Sequence, residues 1–143
     1  MSDKIEIPKW FTITAIIAFV WNLLGLMAFF SHITMTPEMI SELPAQEQAL
    51  YKDIPLWATA AFAIAVFAGA LGSLLLVLKK AIAKLVLIAS VLGVVVQNIH
   101  SFVVIDSMAV YGVASIIMPT MVLIIAVALV LLASKAEKHE WLS

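Results

Sequence analysis

Four runs of about twenty apolar residues, Trp10–Ser31, Leu56–Leu78, Leu85–Ile105 and Ala114–Ala133, constrain this chain more than any motif in it. At about 1.5 Å per helical residue, each run reaches across the ~30 Å hydrocarbon core of a bilayer. In that medium an unpaired backbone N–H or C=O costs several kcal/mol, so the chain must satisfy its hydrogen bonds internally, as helices. The spacing predicts an all-α fold, a four-helix transmembrane bundle forming one membrane domain over residues 1–143. The first run is too long for a signal-peptide core, and no small-x-small cleavage site follows Phe29–His32. It reads as a retained helix. Composition agrees, with 64% hydrophobic and 12% charged residues, against about 25% charged in ordinary soluble domains.

Charge sets the orientation and removes several functions. Lys4, Lys9, Lys79, Lys80, Lys84, Lys135 and Lys138 fall on one side of the predicted membrane, and only Lys52 on the other. By the positive-inside rule both termini face the cytoplasm and the 32–55 loop faces outward. This bias disfavours dual-topology channels and any antiparallel dimer, and two halves of two helices each run in the same sense, so no inverted repeat arises within the chain. The chain has no arginine, the preferred clamp for phosphate, and nothing points to nucleic acid. It has no cysteine, hence no disulfide, thiolate metal site or thiol chemistry.

The outward loop predicts a short extracytoplasmic helical cap. Thr36 is a capping residue, Pro37 suits the first helical position, Glu38 meets the positive helix end, and Pro44 separates a second short helix. In the second run Ala61, Ala65, Gly69 and Ser73 recur every four residues. This extended small-xxx-small pattern predicts a face for close helix packing, either within the chain or between copies.

The third run is the one with a dense polar insert. Gln97, Asn98, His100 and Ser101 interrupt it. On a helix Ser90, Gly93, Gln97 and Ser101 fall within about 80° of one another, with Asn98 and His100 on the flanks. Gln97 and Asn22 both sit about 18 Å from the cytoplasmic face, His100 about 22 Å, and His32 and Asp106 about 32 Å. Asn22, Gln97, Asn98, His100 and Ser101 are therefore predicted to form one polar layer, opening outward toward a vestibule at His32 and Asp106. Asn22 is expected to hydrogen-bond a neighbouring helix. Pro119, in the second turn of the fourth run, is expected to bend that helix.

A structural hydrogen-bond network accounts for such a layer, and so does a site or pathway for a small polar solute or ion. His32, His100 and Asp106 have the right types for a metal but no tight ligand spacing, and the histidines differ in depth by about 10 Å, too much to share a haem. No metal or cofactor is expected. Enzyme chemistry is not expected either, because no serine–histidine–acid set or in-membrane carboxylate occurs. Proton-coupled multidrug exporters of this size need a membrane-embedded glutamate, also absent. Two functions remain: a permease or pore, and a non-catalytic accessory or scaffold subunit. The partners expected are the lipid bilayer and either a parallel homo-oligomer or a larger membrane complex.

Several segments carry a resemblance: Trp21-Asn22-Leu23-Leu24-Gly25, Met35-Thr36-Pro37-Glu38-Met39, Glu47-Gln48-Ala49-Leu50-Tyr51, the run from Pro55 to Phe67, Gln97 to His100, Val110-Tyr111-Gly112 and Ile117-Met118-Pro119. In these the chain resembles a group of small four-helix bacterial inner-membrane proteins commonly labelled as sugar transporters. The resemblance spans nearly the whole chain. It implies a multi-pass protein of the bacterial inner membrane and favours transport, with no catalytic residue to carry over.

Overall fold

The computed structural model describes residues 6–48, 51, 54–104 and 116–143. In chain order these form α1 (Lys9–Ile33), the short helices α2 (Pro37–Ser41) and α3 (Ala45–Gln48), α4 (Leu56–Val77), α5 (Ala83–Ile99) and α6 (Ile117–Lys138). A π-helical turn, His100–Val104, continues α5. No strand occurs among the described residues. The four long segments are each long and apolar enough to cross a membrane, so the chain is an all-α four-helix bundle of the membrane-spanning kind. Asp106 and Tyr111 lie outside the described residues.

Helix α1 packs on α4, α4 on α5 and α5 on α6, while the α1–α6 seam has no comparable packing among the described residues. One end of the bundle gathers the start of α1, the α4–α5 turn and the tail; it is called the terminal end below. The other, the loop end, carries α2, α3, the π turn and the start of α6.

Residue size is distributed inside out relative to a water-soluble bundle. The buried positions are mostly small, among them Ala15, Ala18, Ala61, Ala65, Gly69, Ser73, Ser90 and Gly93, while Ile17, Met27, Leu85, Leu92, Ile124 and Leu131 face outward. Lipid tails are as apolar as leucine, so nothing drives large side chains inward, and close backbone approach becomes the main source of attraction between helices. Gly93 marks the closest approach: a Cβ there would lie 2.7 Å from Ala65 N and 2.8 Å from Ala61 O. Beside it Ser90 Oγ donates to Ala65 O at 2.6 Å, an interhelical hydrogen bond. Gly72 meets Leu87 in the same way, its missing Cβ 2.6 Å from Leu87 Cδ2. The small-residue face of α4 therefore meets α5 and α1 of the same chain.

The terminal end is closed by the chain's own tail. After α4, Lys80 N donates to Leu75 O and Lys79 N to Leu76 O, with Lys79 at φ 62°. After α6 the same Schellman arrangement recurs, Trp141 N donating to Ala136 O and Glu140 N to Glu137 O, with Glu140 at φ 60°. The second turn folds the tail back, so that Ser143 N donates to Lys79 O at 2.9 Å. Trp141 then packs edge-on to Trp10 and tilted against Phe11, at 5.7 and 5.3 Å between ring centres, and Lys135 Nζ sits 5.1 Å over the Trp10 ring. Below this lid a core of Phe11, Ala15, Ala18, Leu76, Leu87, Leu129 and Ala133 fills the bundle.

At the loop end Thr36 Oγ1 accepts from Met39 N at 3.2 Å and Pro37 opens α2, as the sequence predicts. Gln48 Nε2 donates to Leu43 O at 2.8 Å, tying α3 to the turn before it. The fourth span runs further than expected at its C-terminal end. Its described part is Ile117–Lys138, which runs past the expected end at Ala133, and the expected start near Ala114 lies outside the described residues. Pro119 falls in the first turn of the helix as described, where a proline is best tolerated.

Candidate functional site

Between the four long helices lies a cleft of about 430 Å³. Its polar lining comes from Asn22 on α1, from Ser90, Gln97 and Asn98 on α5, and from Ser101 on the π turn. The rest is apolar, and includes Trp21, Met118 and Pro119. It runs from the level of Leu87 and Leu129, where the terminal-end core shuts it, to that of Ser101 and Met118 near the loop end.

Each polar group is held by the packing already described. The Asn22 side chain lies over Gly69: a Cβ at that glycine would run into Asn22 Oδ1, with Ser90 Oγ 3.1 Å away on the other side. Only a glycine leaves room for an amide there. Asn22 Nδ2 donates to Ala18 O at 2.8 Å, one turn back along its own helix. Among the described residues Asn22 bonds locally and not, as expected, to a neighbouring helix, a pairing that short amide side chains make readily, and Ser90 to Ala65 supplies an interhelical bond at this level. Ser73, also on the small face, donates to Gly69 O at 2.7 Å and is fully buried away from the cleft.

The sequence-derived polar layer divides in two. Asn22, Gln97, Asn98 and Ser101 meet at the cleft. His100 does not line it. That side chain is buried against Trp57 at the start of α4, with ring centres 5.2 Å apart and planes at 86°. Gly93, one turn before Gln97, does not line the cleft, because its side is pressed against Ala61 and Ala65 of α4. His32 does not line the cleft either. Its ring lies between Tyr51 and Phe62, at 5.2 and 5.6 Å, and adjoins a group of Phe29, Phe30, Phe62 and Phe67 where α1 meets α4. Its expected vestibule partner, Asp106, lies outside the described residues. Among those described, no three His, Cys, Asp or Glu side chains cluster as a metal site would need.

Sequence reasoning did not place Trp21 at the site, although a tryptophan in the middle of an apolar run, far from either interface, is a signal, since the indole N–H favours polar surroundings. Chemically, the lining offers amides and hydroxyls, which both donate and accept. No charged side chain lines the cleft among the described residues. No family model, curated protein or solved structure matches the chain.

Proposed function

We propose that this multi-pass membrane protein is a permease of the bacterial inner membrane, with both termini cytoplasmic, that binds a small uncharged solute in the four-helix cleft. The observation that carries the reading is the convergence of Asn22, Gln97, Asn98 and Ser101, from α1, α5 and the π turn, on one cavity. Amides buried in hydrocarbon are costly, and four packed helices do not require a cavity at the level where the amides gather. An uncharged solute fits better than an ion, because desolvating an ion needs an opposing charge that this lining does not offer. The cleft ends at the terminal-end core, which favours a carrier with one side closed over an open pore. Seven lysines on the terminal side support the cytoplasmic placement of the termini.

Uptake into proteoliposomes tests this, with a panel of neutral solutes such as monosaccharides and polyols. Asn98→Leu should abolish uptake of the transported member while the melting profile stays cooperative. A protein that moves no member of the panel in either direction, yet copurifies with a larger membrane complex, refutes the permease and leaves an accessory subunit.

A further inference from the structure

Two of the residues that line the cleft are also more than half exposed on the outside of the bundle. Leu24 on α1 is 56% exposed and Met118 on α6 is 58% exposed. They stand on the two sides of the α1–α6 seam, the one junction between neighbouring long helices that lacks continuous packing among the described residues. The cleft therefore reaches the bundle surface through that seam, at a depth where the surrounding medium is hydrocarbon. Leu24 lies 15 residues into the span from Lys9, about 22 Å from the terminal end.

The lining has two chemistries at two places. Asn22, Gln97, Asn98 and Ser101 form one uncharged, hydrogen-bonding patch, and the wall from Leu24 to Val122, Ile125 and Leu129 is apolar. A fully polar solute would leave most of that wall unmatched, and a pure hydrocarbon would offer nothing to the Gln97 and Asn98 amides. Only a molecule with an uncharged polar head and an apolar body satisfies both. We propose that the cleft takes a neutral amphiphile, its hydroxyl or carbonyl head on the Asn22–Gln97–Asn98–Ser101 patch, and that this ligand enters from the bilayer between α1 and α6. This rests on the reading of the cleft as the binding site and narrows its ligand class. A charged head group is disfavoured by the same absence of lining charge.

Photolabelling in proteoliposomes tests the proposal, using a long-chain alcohol that bears a diazirine on its chain, beside the matching carboxylate. The alcohol should label α1 and α6 residues around Leu24 and Met118 saturably, be displaced by the unlabelled alcohol, and do so at least tenfold more efficiently than the carboxylate. Leu24→Trp, which fills the seam without touching the polar patch, should cut labelling at least tenfold. Leu131→Trp, on the exposed face of α6 away from the cleft, should leave it unchanged. Asn98→Leu should weaken displacement by at least tenfold. Labelling that does not saturate, or that spreads evenly over outward-facing residues, overturns the proposal. Uptake of a water-soluble sugar or polyol that survives Leu24→Trp and is not inhibited by the alcohol also overturns it, while leaving the cleft as a solute site. Neither labelling nor uptake overturns both readings.

Discussion

Adding one methyl group at Gly93 should do more harm than adding one at any other glycine of the membrane-spanning helices. A Cβ at Gly93 would meet Ala65 N at 2.7 Å, Ala61 O at 2.8 Å and Ala65 Cα at 3.1 Å. All three neighbours are α4 backbone, so no rotamer change relieves the contact and α5 must move away from α4 as a unit. Overpacking of this kind costs about 1–3 kcal/mol. The displacement also lengthens the Ser90 Oγ to Ala65 O bond, which is 2.6 Å and belongs to the same contact. An interhelical hydrogen bond in a membrane contributes about 0.6–1.7 kcal/mol. Alanine recovers at most about 1 kcal/mol of helix propensity over glycine.

The expected result for Gly93→Ala is therefore a net loss of about 2 kcal/mol. Gly25→Ala is the control, because a Cβ there meets only Val66 Cγ1 at 3.5 Å, an ordinary contact. It should be neutral or slightly stabilising. Both are measured by SDS titration of the folded protein in mixed micelles, followed by circular dichroism. Ser90→Ala should cost about 1 kcal/mol alone and much less on top of Gly93→Ala, since both changes damage one contact. Equal stability of Gly93→Ala and Gly25→Ala would refute the argument that α4 and α5 touch backbone to backbone.

The same titration applied to Trp141→Ala should show a loss of about 1–3 kcal/mol, because the ring closes the terminal end over Trp10 and Phe11; an unchanged midpoint would mean that the tail is not docked. His100→Ala should lower stability by about 1 kcal/mol through loss of its edge-on contact with Trp57, without changing uptake or labelling at the cleft. Loss of transport in a stable His100→Ala protein would place that histidine in the pathway after all. Orientation is open to direct test in a chain free of cysteine: Glu47→Cys and Ala81→Cys should react with an impermeant maleimide from opposite sides of intact cells, Glu47→Cys from outside. Reaction of both from one side would overturn the four-span topology.

How far the sequence carries the reader depends on which physical quantity each residue's role turns on. Span number, the Thr36–Pro37 helix start and the small-residue period of α4 are local or one-dimensional, and residue order states them directly. Depth is also one-dimensional, which is why Asn22 and Gln97, placed at one level by counting, do meet at one cleft. Choice of neighbour is not. Asn22 has the depth to bond across to α5, but Ala18 O lies one turn away on its own helix and is the acceptor it uses. Nothing in the tail's composition distinguishes a free end from one that returns to Lys79 O; that outcome rests on a second left-handed turn at Glu140.

The polar insert shows where helical periodicity itself stops applying. On a wheel of 3.6 residues per turn, His100 lies about 60° from Gln97, close enough to be assigned to the same face. That estimate assumes that the helix keeps its pitch, and here it changes at His100, where the wider i→i+5 turn begins. The bulky ring of Trp57 at the head of α4 takes His100 to one side, while Ser101 stays with Gln97 and Asn98 on the cleft. His100, expected in the polar layer, is thus a packing contact, and the insert's other three side chains, Gln97, Asn98 and Ser101, which do not titrate, line the cavity. A site built from them has to discriminate by shape and neutral hydrogen bonding. For that reason the proposed ligand is defined by an uncharged head and an apolar body, with no dependence on pH expected from the lining itself.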